Sequence, residues 1–319
     1  MSAGRPRVES PARVAARVAG PAAAVGVAAA VLTVLAAVQV LRHQAGLARR
    51  LIGKPLGEEA HVADRVYKRK QGGTVDLLVL GDSIAAGLGA EKAKRTLGAQ
   101  LAKRLAKHTQ RGVRLHTAAQ VGAESSMLRA QLAALPPGYR ADVAVVMVGG
   151  NDITHRVRTT DSVAHLAATI DALRAHGTAV VVGTCPDLSA LGALPQPLRT
   201  FAGVASRRLA AAQREAALAG GARVVSLAQV VGPFFVDRPD EMFAEDRFHP
   251  SGSGYRRTAK ALLPAVLAAL DDPAPSSARG GVISPEVPGR GGPDGRVDPV
   301  RRRVQDDQRG APSTRASHR

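Results

Sequence analysis

Short apolar runs that alternate with longer alanine-rich stretches most constrain the fold of this chain. The runs lie at residues 75–80, 113–118, 143–148, 179–183 and, more weakly, 224–225. Between and after them, the sequence predicts helices near residues 91–108, 124–134, 160–175, 199–219 and 252–270. Strands with continuous apolar character that alternate with helices are typical of a parallel sheet covered on both faces. The sequence therefore predicts one three-layer α/β domain over residues 75–272, with about five parallel strands.

A long uncharged segment precedes this domain. Residues 18–41 contain no charged side chain, and Arg17 and Arg42 bracket them. As a helix the segment would span about 36 Å, enough for a hydrocarbon core of about 30 Å. A cleaved signal peptide and a buried core helix are the alternatives, but the run is long and ends without the small-residue pattern of a cleavage site. We therefore predict a retained single-pass transmembrane helix.

The membrane orientation is only weakly encoded. Four basic residues lie before the segment and four lie shortly after it, so the charge rule gives no clear direction. They are Arg5, Arg7, Arg13 and Arg17, and then Arg42, Arg49, Arg50 and Lys54. The short basic arm, residues 1–17, favours an inside N-terminus and an extracytoplasmic α/β domain.

Residues 42–74 are interpreted as a juxtamembrane linker. Residues 273–319 are rich in Pro, Gly, Ser and Arg and are predicted to be a disordered, solvated tail.

The formal net charge of +18 does not indicate nucleic-acid binding. It divides into +8 for residues 1–72, +6 for residues 73–272 and +4 for the remainder, so two thirds lies outside the predicted domain. A nucleic-acid module is expected to carry a dense basic face, often with stacking aromatic residues, and neither is present in the sequence pattern. Cys185 is the only cysteine, which excludes an intramolecular disulfide and favours a buried small apolar residue over a nucleophile.

Four polar motifs follow the predicted strands or precede the final helix. They contain Ser83, Gly122, Asn151 and His249. In open parallel sheets, ligands bind beyond the carboxyl ends of the strands. We therefore expect these four residues to face one edge of the sheet, although they are far apart in sequence.

Ser83, His249 and Asp246 have the residue types of a nucleophile, a general base and a carboxylate that orients the base. A serine hydroxyl is a weak nucleophile until a base removes its proton. Asp246 would accept a hydrogen bond from one ring nitrogen of His249, leaving the other to take the serine proton. The alternatives are a helix-capping serine, a surface turn and half of a metal site. Because no second ligand stands at metal-binding spacing, the sequence does not predict a metal site.

Gly122 and Asn151 are candidate oxyanion donors, together with the backbone N–H of Ser83. Each such donor contributes about 3 kcal/mol to the transition state of acyl transfer. The alternative for Gly150-Asn151-Asp152 is a plain turn, in which Asn and Asp are common. We expect a structural role for Asp152.

These motifs resemble those of the SGNH, or GDSL-type, serine hydrolases over about residues 75–270. The first block is Gly81-Asp82-Ser83, followed by Ile84-Ala85-Ala86-Gly87; the later blocks are Gly149-Gly150-Asn151-Asp152 and Asp246-Arg247-Phe248-His249. In the second block the family often has Asn two residues before its glycine, where this chain has Gln120. The resemblance implies a flavodoxin-like three-layer fold, no metal or organic cofactor, and hydrolysis of esters or thioesters through an acyl-enzyme.

The substrate stays open at this point, because the resemblance fits lipids, acetylated sugars and thioesters alike. Two apolar groups could line an acyl pocket or simply fill the core. They are Leu188, Leu191, Leu194, Leu198 and Phe201, and then Phe234, Phe235, Met242 and Phe243. Membrane attachment favours a lipid or envelope ester. Three hypotheses remain: an ester hydrolase, which we favour, an acyl or acetyl transferase with the same triad, and an inactive membrane-tethered binding protein. The oligomeric state has no sequence signal.

Overall fold

The computed structural model describes residues 27–44, 46, 56–57 and 59–272. The predicted basic arm (residues 1–17), the first residues of the predicted membrane segment (residues 18–26) and the predicted tail (residues 273–319) lie outside the described residues. The domain boundaries given above therefore stay predictions.

Among the described residues, six strands form one sheet in the order β1-β3-β2-β4-β5-β6. Strands β2 to β6 are parallel to their neighbours, and β1 pairs antiparallel with β3. The strands are β1 Val66–Tyr67, β2 Thr74–Gly81, β3 Gly112–Thr117, β4 Val143–Met147, β5 Ala179–Gly183 and β6 Arg223–Val225. The predicted fold class is confirmed, including its five parallel strands. The additional strand β1 lies in the segment interpreted as a linker, and its two residues are too few to give a periodic pattern.

Helices cover both faces of the sheet. The bounds are α1 Val27–Gln44, α2 Ser83–Ala86, α3 Leu97–Thr109, α4 Leu128–Ala133, α5 Gly150–His155, α6 Thr159–Ala175, α7 Leu198–Ala219, α8 Leu227–Val230, α9 Gly232–Asp237, α10 Pro239–Met242 and α11 Gly252–Asp271. Helices α3 and α11 pack on one face, and α4, α6 and α7 pack on the other. The short helices α2, α5, α8, α9 and α10 were not predicted, because four to six residues show too little of a helical period.

The central strand β2 explains why its sequence is apolar along most of its length. Leu77 and Val79 belong to the core under α3 and α11, whereas Leu78 and Leu80 belong to the core on the opposite face. Successive side chains of a strand point to opposite faces. A strand covered on both faces must therefore be apolar at consecutive positions.

Helix α1 stands apart from these two cores. Within the described residues it is the one helix long and apolar enough to cross a membrane, and none of its 18 residues is buried in the protein. Its length and composition fit a membrane anchor or a signal sequence. Its last residue, Gln44, lies beyond the predicted boundary at Leu41 and contacts the segment before α7: the side-chain Nε2 donates to the carbonyl of Gln196 at 2.6 Å.

Candidate active site

The turn after β2 carries Ser83 at the carboxyl edge of the sheet. The Asp82 N–H donates to the Met147 carbonyl at 3.0 Å, which continues the pairing of β2 with β4 into the turn. The Asp82 carboxylate accepts from the Ile84 N–H at 3.0 Å and so caps α2. Ser83 is the first residue of α2 and is buried. The backbone that holds Ser83 is therefore fixed by the sheet on one side and by a helix cap on the other.

Gly81 is required for this close approach. Its φ is +132°, and a Cβ built on it would lie 1.7 Å from the Met147 carbonyl oxygen. No side chain fits there without displacing strand β4. The buried side chain of Gln131 holds both backbone groups of Gly81. Its Oε1 accepts from the Gly81 N–H at 2.9 Å, and its Nε2 donates to the Gly81 carbonyl at 2.7 Å.

Ser83, His249 and Asp246 form one hydrogen-bonded line. The His249 Nε2 lies 3.0 Å from the Ser83 Oγ, across 166 residues of sequence. The His249 Nδ1 lies 2.5 Å from the Asp246 Oδ2, and the other carboxylate oxygen accepts from the N–H groups of Phe248 and His249, each at 3.0 Å. An ionised carboxylate only accepts hydrogen bonds, so Nδ1 carries the ring proton and Nε2 is left to accept from the serine hydroxyl.

The three groups are buried, at 5% exposed for Asp246 and 7% for both Ser83 and His249. Burial by itself would raise the pKa of Asp246, but the hydrogen bonds from the His249 ring and from the amides of His249 and Phe248 together hold that pKa below its ordinary value. Asp246 therefore remains ionised under neutral conditions, as the orientation of His249 requires.

The loop before α11 aims the imidazole. Phe243 and Pro250 form an antiparallel bridge, and the Ala244 N–H donates to the His249 carbonyl at 2.8 Å. Arg247 turns the chain between them with φ at +55°, in the left-handed region. Ser251 then caps α11 by accepting from the Ser253 and Gly254 amides.

Asn151 lies beside Ser83 on the wall of the same cleft, in the first turn of α5. Its Nδ2 donates one hydrogen bond, to the Ala123 carbonyl at 3.0 Å. The second amide hydrogen has no acceptor among the described residues and is available to a ligand. Gly122 adjoins Ala123 in a turn with φ at +81° and is exposed; it does not contribute to the described wall of the cleft. Of these two candidate donors, only Asn151 shares the described wall of the cleft with Ser83.

Asp152 ties the Gly122 turn to α5. This carboxylate is 1% exposed, accepts from the Ser125 N–H at 3.1 Å, and accepts from the Ser162 hydroxyl of α6. Together with the bond from Asn151 to Ala123, it fixes the segment after β3 against the segment after β4. The geometry agrees with the structural role expected for Asp152.

A second buried carboxylate, that of Asp82, lies within the site. Burial raises its pKa to about 6, although the amides of Ile84 and Gly150 and the charge of His249 each favour the ionised form. The nearby charge of Asp152 adds to the rise. Asp82 therefore changes its charge at a higher pH than an ordinary aspartate does.

An apolar cleft, open to solvent, extends from Ser83. Four of the nine apolar residues proposed from the sequence line it: Leu188, Leu191, Phe235 and Phe243. The others do not. Leu194 and Leu198 pack behind the wall, Phe234 stacks under Arg257, Met242 is in the core, and Phe201 is 57% exposed. Sequence analysis missed Leu227 and Val231 in the lining, because no polar motif marks these positions, and it quoted Phe248 in the Asp246–His249 block without assigning it to the lining.

Other groups contribute no separate reactive centre in the described part of the chain. No cluster of three or more His, Cys, Asp or Glu residues there could hold a metal ion. Cys185 is 1% exposed, and burial raises the pKa of its thiol well above the ordinary value, so it is a poor nucleophile. Its N–H donates to Gln213 Oε1 at 2.7 Å, while Gln213 Nε2 donates to the Val148 carbonyl. The Gln213 side chain therefore helps to position the segments that follow β4 and β5.

A three-layer α/β fold with a buried serine, histidine and aspartate at the carboxyl edge of its sheet is the arrangement of an acyl hydrolase. Residues 79–257 match the GDSL-like Lipase/Acylhydrolase family, and the chain belongs to this family. It is 39% identical over 249 residues to the GDSL-like esterase Rv1075c of Mycobacterium tuberculosis, covering 75% of this chain and 79% of that protein. The recognition made from the sequence is confirmed, and the protein is an ester hydrolase.

Two lipases are among the solved structures with a similar fold. The lipase Lip_vut3 from a goat rumen metagenome is 18% identical, with a TM-score of 0.49 over 60% of this chain and 97% of that chain. An extracellular lipase from Streptomyces rimosus is 21% identical, with a TM-score of 0.44 over 61% of this chain and 99% of that chain. The family assignment rests on the sequence matches.

Proposed function

We propose that this protein is a membrane-anchored serine hydrolase that cleaves carboxylic esters or thioesters through an acyl-enzyme on Ser83. The observation that carries the proposal is the 3.0 Å contact between His249 Nε2 and Ser83 Oγ, continued at 2.5 Å from His249 Nδ1 to Asp246. A capping serine or a surface turn requires neither contact.

In the acylation step, Ser83 Oγ attacks the substrate carbonyl carbon while its proton passes to His249 Nε2. Asp246 holds the imidazole in the required tautomer and stabilises the imidazolium, and its lowered pKa keeps it ionised. The carbonyl π electrons move to the oxygen. When the tetrahedral intermediate collapses, the bond to the alcohol or thiol breaks, and His249 returns the proton to that leaving group. A water molecule then repeats the sequence on the acyl-enzyme and frees Ser83.

The negative oxygen of the intermediate would be stabilised by the Ser83 N–H, the Asn151 side chain and the Gly122 N–H. Support is strongest for Asn151, which lines the cleft and keeps one amide hydrogen for a ligand. For Gly122 the support is indirect: Asn151 and Asp152 hold the segment that follows it. Removing one such donor typically lowers kcat by about 10²–10³-fold.

The apolar cleft would accept the acyl part of the substrate. Leu188, Leu191 and Phe235 offer no charge or strong hydrogen-bonding group to it, which favours an aliphatic acyl chain over a charged one. Acyl groups of increasing length, presented as esters of one alcohol, would define how much of the cleft is used.

Labelling with a fluorophosphonate tests the nucleophile. The full chain in detergent should be labelled, and Ser83→Ala should lose both labelling and ester hydrolysis. Ser126→Ala, at an exposed serine near the same edge, is the matched control and should keep both. A fully labelled Ser83→Ala protein would rule out Ser83 as the nucleophile.

Membrane attachment through α1 is supported by its 18 unburied residues and by the absence of charged side chains between Arg17 and Arg42. The mature protein should retain the segment in an intact-mass measurement and should stay with the membranes after carbonate extraction. A mass that lacks the segment would identify it as a cleaved signal. We further propose an extracytoplasmic hydrolase domain; digestion by protease added to intact cells tests this, and protection there together with digestion in inverted vesicles would reverse the orientation.

A further inference from the structure

Exposed apolar side chains are gathered at the active-site edge of the domain. Within residues 59–272, the large apolar residues that remain exposed are Val62, Met127, Phe201, Val230, Val236 and Leu218. The first five, which we call the apolar rim, lie at the carboxyl edge of the sheet. Leu218 lies near the end of α7, at the opposite edge.

The chain topology explains this placement. Met127 follows β3, Phe201 lies in the first turn of α7 after β5, and Val230 and Val236 follow β6. Each is therefore on a connection that leaves the carboxyl end of a parallel strand. Val62 precedes the antiparallel strand β1 and so reaches the same edge. Beside it, the Asp64 carboxylate accepts from the N–H of Thr117 at the end of β3.

Three of the five residues of the apolar rim adjoin the walls of the cleft. Val230 precedes Val231, and Val236 follows Phe235, and both of those neighbours line the cleft. Phe201 is 57% exposed, and the adjacent Ala202 packs on the cluster that forms the cleft wall. Exposed apolar residues gathered around a cleft mark an interaction surface, whereas isolated ones need no explanation.

The last residue of helix α1 lies close to the apolar rim. Gln44, at the end of α1, donates to the Gln196 carbonyl at 2.6 Å and accepts from the Leu198 N–H at 3.2 Å. Leu198 begins α7 and is three residues before Phe201. The helix that is apolar enough to enter a bilayer thus ends beside the rim and the cleft, so the bilayer that receives α1 lies close to both.

We infer that the apolar rim rests on the bilayer into which α1 inserts, so that the cleft at Ser83 opens towards the membrane and takes its ester from the lipid phase. This inference rests on the proposed hydrolase function and membrane anchorage. Charges of both signs lie close to the rim in sequence: Arg129, Arg199 and Arg238 against Asp64 and Asp237. Insertion of the exposed apolar side chains supplies the contact that the inference requires.

Depth-dependent quenching tests the surface without using the activity. The full chain carrying Phe201→Cys is labelled with a thiol-reactive bimane and reconstituted in phosphatidylcholine vesicles that contain a nitroxide lipid. Leu218→Cys is the matched control, since Leu218 is 50% exposed. Buried Cys185 should not react, and the unsubstituted chain checks this. A rim residue inserts about 5–10 Å, so we expect quenching at Phe201→Cys to exceed that at Leu218→Cys by about threefold or more.

Equal quenching at the two positions would overturn the inference. So would a bimane signal at Phe201→Cys that responds to protein density in the vesicles and not to the nitroxide lipid, which would assign the apolar rim to contact with a second copy. Neither result depends on whether Ser83 is the nucleophile.

The activity arm compares two esters on the same reconstituted protein. Phe201→Ser with Val236→Ser should lower kcat/KM for a bilayer-resident ester by about tenfold, because two exposed apolar groups no longer insert. It should leave a water-soluble ester unchanged, and Leu218→Ser should change neither. An equal loss on both esters would refute the membrane role. A parent protein that hydrolyses neither ester and resists the fluorophosphonate would instead refute the proposed function.

Discussion

Asp152→Ala should destabilise the protein and impair catalysis together, because this carboxylate holds the candidate oxyanion segment. The substitution leaves the Ser125 N–H and the Ser162 hydroxyl without their acceptor in a region that is fully buried. A buried polar group left unsatisfied costs about 1–3 kcal/mol. With two such groups, we expect the free energy of unfolding to fall by about 2–6 kcal/mol.

Asp152→Asn separates hydrogen bonding from charge. Its Oδ1 can still accept from the Ser125 N–H, and its Nδ2 can donate to Ser162 Oγ if that hydroxyl turns to another acceptor. We expect the free energy of unfolding to fall by about 1–2 kcal/mol, the lower part of the range for a single unsatisfied buried group. The measurement is urea denaturation followed by circular dichroism, with kcat and KM for a soluble ester determined on each variant.

Asp161→Ala is the control, since the Asp161 side chain is 40% exposed and its partners are the exposed Arg158 and the Thr160 hydroxyl; such pairs near the surface contribute at most about 1 kcal/mol. The kcat of the Asp152 variants should decrease by a larger factor than 1/KM, because the segment that they release carries the proposed transition-state donors. Equal, small losses for Ala and Asn at this position, or an Asp152→Ala protein with unchanged kcat, would refute the reasoning.

Three further predictions concern the reacting groups. Asp246→Asn should lower kcat by about 10³–10⁴-fold, because an amide that donates to His249 selects the wrong tautomer; unchanged esterase kinetics would contradict the role of Asp246. Asn151→Ala should lower kcat by about 10²-fold with little change in KM, and a change confined to KM would assign Asn151 to ground-state binding. Asp82→Asn should gain stability relative to the parent as the pH rises from about 4 to about 6. In the parent, the raised pKa of Asp82 means that the folded state holds a proton that the unfolded state has already released, so stability falls through this window. Parallel denaturation curves of parent and Asp82→Asn across this window would show that Asp82 is not the titrating group.

The strands and the reactive motifs were predictable because local sequence specifies them. Val143–Met147 is buried throughout and reads as an uninterrupted apolar run, and the position of Ser83 after such a run predicts its place at the sheet edge. The contact of His249 with Ser83 was a hypothesis drawn from strand order. Nothing in either motif alone specifies it.

What the sequence did not indicate depends on long-range contacts between single residues. Gln131 and Gln213 lie in helices whose pattern gives no reason to expect a buried amide, yet each bridges two backbone groups beside the site. Phe201 was a candidate for the acyl pocket or for the core, because it is apolar and follows β5. Its position on α7 instead turns it outwards, and sequence spacing before an irregular loop does not determine that angle.

One wall of the cleft comes from a segment that supplies none of the proposed reacting groups. Leu227, Val231 and Phe235 belong to the segment of α8 and α9, whereas Phe243 and Phe248 line the cleft from the loop that carries Asp246 and His249. Substitutions on the α8–α9 side can therefore alter the preference for the acyl group without touching the loop that aims the imidazole. This segment is the place where such enzymes can diverge, or be redesigned, in the acyl chains that they accept.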